Sequence, residues 1–125
     1  MGHAQRQAQA DPATVLTKAT LRATDMLHLS ASELAQVIGV SPSTVTRYRA
    51  STAAIAPDSE PGQLALLLIR VYRSLDPLVG SGDGERQAWM HTPNKALGGV
   101  PAQLVLTPGG LVKTLDYLDG MRAAA

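Results

Sequence analysis

The sequence predicts an all-α protein in which an N-terminal helix-turn-helix domain packs with a small helical C-terminal domain. Three observations support this prediction. Apolar residues recur at intervals of three and four through most of the 125-residue chain. Capping residues followed by proline mark several helix starts, and glycines follow several helix ends. No run of alternating β-branched residues is long enough to predict a sheet.

The composition limits the class of protein. Apolar residues make up 45% of the chain, which is ordinary for a packed globule and argues against a disordered chain. The chain contains no Cys and no Phe, so the core must come mainly from aliphatic side chains. The net charge of +1 gives no global attraction to nucleic acid. Any DNA binding must therefore come from a local basic patch.

The sequence predicts no membrane span, metal site, cofactor or catalytic group. Its longest apolar run, residues 64–69, is far shorter than the ~18–20 residues that cross a bilayer. The N-terminus lacks the apolar stretch of a secretory signal. The three histidines share no metal-ligand spacing, and no Ser-His-Asp arrangement is readable. Because the absence of Cys also fits a reducing compartment, we expect a cytoplasmic, non-enzymatic protein.

The N-terminal part of the chain is predicted to comprise a disordered tail, residues 1–10, and a DNA-binding domain, residues 11–56. Asp11 and Pro12 begin a first helix, because aspartate can accept hydrogen bonds from free amides and proline suits the first turn. Apolar residues at helical spacing then extend this helix to about residue 28.

Strong local sequence signals mark where the next two helices begin and end. Ser30 and Glu33 form a capping box, which begins a helix that stops at Gly39, a residue suited to a left-handed cap. Ser41 and Pro42 begin the following helix, which runs to about residue 50.

Residues 57–125 are predicted to form a second helical domain. After a connector at 51–61, leucines at helical spacing predict a central, buried helix at 63–75. A loop ends in a candidate N-cap at Asp83, which begins a helix that carries Trp89. Further helices are predicted near residues 93–97, 101–106 and 108–122.

The spacing within residues 34–48 predicts a helix-turn-helix. Ala35 is small where two helices must cross, and Gly39 makes the turn four residues later. The second helix then presents a polar face, in which short hydroxyls could bind phosphates and Arg47 could bind guanine. We predict DNA contacts from Ser41, Ser43, Thr44, Thr46, Arg47 and Arg49.

Two further points concern this second helix, which would be the recognition helix of the motif. A helical hairpin with a merely solvated polar face would show similar spacing, so the motif alone does not establish DNA binding. The recognition helix carries only two arginines. A monomer would therefore bind DNA weakly, because affinity for DNA depends on the number of phosphates that the protein neutralises. We therefore expect at least a homodimer that reads two half-sites.

The C-terminal half carries a second pattern. Trp89, Asn94, the Leu-Gly-Gly at 97–99 and Pro101 precede a closing "GL…LDYLD" at 110–119. In this order they resemble the antitoxins of the Xre/MbcA/ParS group, which pair with RES-domain toxins. The resemblance covers residues 15–122. It implies that the first half binds the operon's own promoter, while the second binds a toxin that acts on NAD and covers its active-site cleft.

By this resemblance the C-terminal domain is a toxin-binding domain. Its matching residues would be Trp89, Asn94, Leu97, Gly98, Pro101, Leu111, Tyr117, Leu118 and, at the end, Arg122. A purely structural interpretation stays open for several of them, with Trp89 and the leucines in the core and Asn94 in a turn. The alternative function is a stand-alone helix-turn-helix regulator whose C-terminal half only dimerises. An uncharacterised small enzyme is a third hypothesis.

Overall fold

The computed structural model describes residues 11–124, which are helical with no strand in that part of the chain. The predicted tail, residues 1–10, lies outside the described residues. The all-α prediction is confirmed. The helices are α1 Pro12–Met26, α2 Ala31–Ile38, α3 Pro42–Arg49, α4 Glu60–Leu78, α5 Asp83–His91, α6 Pro101–Leu104 and α7 Pro108–Ala124.

Side-chain caps begin the first three helices where the sequence predicts them. The Asp11 carboxylate accepts the Thr14 N–H at 3.3 Å. At α2 the Ser30 hydroxyl accepts the Glu33 N–H at 3.0 Å, and the Glu33 carboxylate accepts the Ser30 N–H at 2.7 Å, which completes the capping box. Ser41 caps α3 in the same way as Asp11 caps α1. Each cap satisfies amides that have no partner inside the helix.

Helix α4 is the centre of the fold. It begins three residues before the predicted start, because the Ser59 hydroxyl accepts the Gly62 N–H at 3.0 Å and Pro61 is tolerated in the first turn. Its buried face packs against α1, α2 and α7. The helix therefore belongs to the core of both halves of the protein. The buried apolar residues of this face are Ala65, Leu68, Ile69, Val71 and Leu75.

Two local predictions in the C-terminal half are wrong. Residues 93–97 form a tight turn instead of a helix, since the Asn94 carboxamide accepts the Leu97 N–H at 3.1 Å and Asn94 pairs with Gly99 as an isolated bridge. Gly98 completes the turn with a φ of +76°. At α5 the N-cap is Gly82, and Asp83 is the first helical residue. Its carboxylate contacts the His28 ring at 2.9 Å and the Arg86 guanidinium at 3.1 Å instead of the helix amides.

Candidate DNA-binding and partner-binding surfaces

The corner between α2 and α3 has the geometry that the sequence predicts. Gly39 adopts the left-handed conformation, with φ 74° and ψ 37°, and its N–H donates to the Ala35 carbonyl at 2.9 Å. This conformation is strained for residues with a Cβ and easy for glycine. Leu34, Ala35, Ile38 and Val45 are buried against one another and the core. The recognition helix α3 is thereby fixed at one angle to α2.

The polar face of α3 lies at the surface. Of the six predicted DNA-contacting residues, five are exposed and Thr44 is half-buried. The Ser41 hydroxyl accepts the Thr44 N–H and lies 3.0 Å from the Ser43 hydroxyl and 2.8 Å from the Thr44 hydroxyl. These groups gather at the amino end of the helix, where its dipole favours an anion such as a phosphate.

The two arginines of α3 have different hydrogen-bond partners. Arg49 donates twice to the Asp25 carboxylate of α1, at 2.7 and 3.4 Å. This hydrogen bond, and to a smaller degree the charge of Asp25, raises the pKa of Arg49 against the opposing effect of burial. Arg47 donates only to the Thr44 hydroxyl, at 3.0 Å, and has no ion-pair partner within residues 11–124. Arg47 is therefore the arginine that can turn toward a ligand.

Tyr48 anchors α3 from the opposite side. Its side chain is 6% exposed and belongs to the core cluster. Burial raises the pKa of the Tyr48 phenol, and the neighbouring positive charge of Arg47 only partly opposes this. The recognition helix thus has a buried, neutral anchor directly beside its free arginine.

The predicted toxin-binding residues fall into three groups. The first group is buried, which gives these side chains a packing role in this structure. Its members are Leu97, Pro101, Leu111 and Leu118. Asn94 and Gly98 build the tight turn described above. Trp89, Tyr117 and Arg122 keep at least part of their side chains at the surface. Direct contact with a partner remains a prediction for all nine residues.

Three of the nine residues line two separate cavities. Trp89 and Asn94 line one shallow cavity of about 360 Å³ beside the loop that follows α5. Arg122 lies at the end of α7 and lines a different cavity, of about 600 Å³, together with Ser74 and Asp119. The structure brings Trp89 and Asn94 together, but it places Arg122 elsewhere.

The sequence analysis did not single out Arg86, which is a buried charged residue. It is 3% exposed, and its guanidinium contacts the Asp76 carboxylate at 2.9 Å, the Asp83 carboxylate at 3.1 Å and the Met26 carbonyl at 3.4 Å. The only hint in the sequence is the spacing of three between Asp83 and Arg86, which suits a helix ion pair. The burial of the group could not be read from that spacing.

Residues 11–124 contain no group of three or more His, Cys, Asp or Glu side chains that could hold a metal ion. No helix in this range has the length and apolar character that crossing a bilayer requires.

The fold and its surfaces define a class of protein, a helical DNA-binding module joined through a shared helix to a second helical domain. Residues 6–70 match the family model of the antitoxin Xre-like helix-turn-helix domain. Residues 74–123 match that of the antitoxin Xre/MbcA/ParS C-terminal toxin-binding domain. The chain therefore belongs to the Xre/MbcA/ParS-type antitoxins, as its sequence pattern predicted. A search of curated proteins gave no match.

Proposed function

We propose that this antitoxin binds and inhibits a RES-domain toxin that consumes NAD, and that it represses its own operon in the cytoplasm by binding operator DNA. The single observation that supports the double role is the arrangement of the two family matches on one fold. The recognition helix lies exposed in the first match, and the second match is a toxin-binding domain. The RES and NAD parts of the proposal rest on the family resemblance.

The DNA-binding part of the proposal is supported by the free side of α3. Arg47 is exposed and unpaired within residues 11–124, and hydroxyls gather at the amino end of the helix. We assign direct base contact to Arg47 and Thr46, and phosphate contact to Ser41 and Ser43. Arg49 is held by Asp25, so we assign it the orientation of α3 and a lesser contact with the backbone.

The toxin-binding part is supported by the surface around α5 and the end of α7. We assign contact with the toxin to Trp89, Tyr117 and Arg122, whose side chains are at least partly exposed. The buried leucines of the motif would act indirectly, by holding α7 and the turn before α6 in place. We expect the end of α7 to approach the cleft of the toxin.

A homodimer is part of the proposal because one copy offers few positive charges to DNA. An apolar groove between α1 and α4, of about 460 Å³, includes Val15 and Leu66, which are 50% and 47% exposed. Exposed aliphatic side chains in one groove favour a contact with a second copy. Light scattering of the wild type and of Leu66→Glu measures this directly, and equal masses would contradict the assignment of this groove.

Co-expression tests the inhibitor role. The product of the adjacent gene is induced alone, with the wild-type chain, and with the Arg47→Ala variant, and growth and cellular NAD are followed. We expect toxicity and NAD loss with the toxin alone and rescue with either form of the antitoxin. Growth arrest without NAD loss would keep the antitoxin role and reject the NAD chemistry. Failure of the wild type to rescue would reject the inhibitor role.

The alternative is a stand-alone helix-turn-helix regulator whose C-terminal half only dimerises. The match of residues 74–123 to a toxin-binding domain favours the antitoxin. Mass determination of the chain purified together with the adjacent gene product separates the two functions. A stable complex supports the antitoxin, and a homodimer that binds promoter DNA but not that protein supports the regulator.

A further inference from the structure

Three arginines line the cavity between the second half of α4 and the end of α7. This cavity, of about 600 Å³, is the one that contains Arg122. Its other lining residues are Arg70, Arg73, Ser74, Asp119 and Ala123. In the described part of the chain, α2 and α3 contribute no residue to it. The cavity, called here the arginine cavity, is therefore separate from the recognition surface of α3.

The charges of the arginine cavity are unbalanced. Asp119 is the single carboxylate among the described residues that line the cavity, and both of its oxygens already accept hydrogen bonds within the protein. Arg70 donates to one oxygen of Asp119 at 3.4 Å, and the Ser74 hydroxyl donates to the other at 2.8 Å. Within residues 11–124, neither Arg73 nor Arg122 has an ion-pair partner. Two positive charges therefore remain to attract an anion.

Ser74 fixes the geometry of this cavity. It is only 3% exposed, and its hydroxyl accepts from Arg122 at 3.2 Å while it donates to Asp119. A guanidinium that is already held in place loses less conformational freedom when it binds an anion, so binding costs less entropy. Guanidiniums also bind carboxylates through paired, charge-assisted hydrogen bonds. Arg122 is thus positioned to bind an anionic group that enters the arginine cavity.

We propose that the arginine cavity binds a Glu or Asp carboxylate of the toxin. The inference rests on the proposed function, because it takes the toxin as the partner. The match to the toxin-binding domain, residues 74–123, contains three of the polar residues of the cavity, namely Ser74, Asp119 and Arg122. This placement, with the separation from α3, favours a protein carboxylate over a DNA phosphate. The carboxylate would anchor the toxin where α4 and α7 meet.

Charge reversal at Arg73 tests the inference, because this side chain is exposed and makes no ion pair within residues 11–124. The full-length wild type, Arg73→Glu, Arg73→Lys and the control Arg22→Glu are titrated against the purified adjacent gene product at low and high salt. They are also titrated against promoter DNA. Arg22 is an exposed residue of α1 outside the cavity, so its variant matches the change in net charge. Arg73 also lines the apolar groove between α1 and α4. Thermal melts and light scattering therefore verify that all variants fold and keep the mass of the wild type.

We expect Arg73→Glu to weaken toxin binding about 30-fold, since it places a like charge against the toxin's carboxylate. Arg73→Lys should retain most of the affinity, and Arg22→Glu should match the wild type. The Arg73→Glu and Arg22→Glu proteins should bind DNA equally.

Equal toxin affinity for these two variants overturns the inference and leaves the antitoxin role intact. A loss of DNA affinity specific to Arg73→Glu, with toxin affinity retained, also overturns it. Wild type that binds no toxin rejects the proposed function itself.

Discussion

The guanidinium of Arg86 donates to the carboxylate of Asp76 across 2.9 Å, although the Arg86 side chain is only 4% exposed. The same guanidinium reaches the Met26 carbonyl at the end of α1 and the Asp83 carboxylate at the start of α5. It also lies 5.9 Å from the centre of the Tyr72 ring on α4. One buried cation therefore joins the helix-turn-helix half, the central helix and the C-terminal half.

Replacement of Arg86 by methionine should reduce the free energy of unfolding by about 3 kcal/mol. Met fills much of the volume but leaves Asp76 without its cation and the Met26 carbonyl without its donor. Urea denaturation measures the change. The exposed control Arg22→Met should stay within about 0.5 kcal/mol of the wild type. Equal stability of Arg86→Met and wild type would mean that the desolvation cost of the buried cation cancels its pairing.

The Arg47→Ala variant should lose promoter affinity while it still neutralises the toxin. If Arg47 binds a guanine edge, we expect a loss of about 1–3 kcal/mol in binding free energy, concentrated on one base pair of the operator. Fluorescence anisotropy with operator DNA across a salt series provides the measurement. Arg22→Ala is the charge-matched control. A variant with the affinity and salt dependence of the wild type would remove Arg47 from the recognition surface.

Neighbouring glycines at the start of α7 should respond oppositely to alanine. A Cβ at Gly110 would collide with the backbone carbonyl of Leu104, whereas a Cβ at Gly109 would meet open space. Gly110→Ala should therefore destabilise the protein by about 1–3 kcal/mol, as overpacking does. Gly109→Ala should be neutral or stabilise it by about 0.4–1 kcal/mol, because alanine restricts the unfolded chain. Thermal unfolding of both variants compares them, and similar melting temperatures would contradict the close approach of α6 and α7.

The sequence predicted those parts of the fold that local rules decide. The Ser30–Glu33 capping box and the left-handed Gly39 each depend on residues at most four apart, so their outcome could be read from spacing. The turn at residues 93–97 was mistaken for a helix. There the Asn94 side chain competes for a backbone amide, which helical periodicity does not register.

The candidate site was less accessible from sequence, because its contacts join distant residues. The Arg70–Asp119 pair spans 49 positions, and the Arg86–Met26 contact spans 60. The motif of the C-terminal half also mixed two roles. It contains Leu97 and Leu118, which the structure buries, beside Arg122, which it exposes. A pattern of residue types alone does not separate packing from recognition.

Alkaline pH should destabilise the fold through Tyr48. Burial raises the pKa of this phenol above its ordinary value of 10.0, so the folded protein keeps a proton that the unfolded chain releases. Because the folded state then binds more protons than the unfolded state, stability falls as pH rises. The contribution of Tyr48 is fully present below pH 10 and is lost as the pH rises from there through the folded-state pKa.

The Tyr48→Phe variant isolates this effect, since all other titrating groups are common to both proteins. Urea denaturation at a series of pH values should show a steeper alkaline loss in the wild type, by up to about 1.4 kcal/mol per pH unit. Lysines and the other tyrosines contribute equally to both curves and cancel in the difference. A difference that does not change with pH above 10 would mean that the Tyr48 phenol is solvated in the folded protein, and the close packing of α3 on the core would need revision.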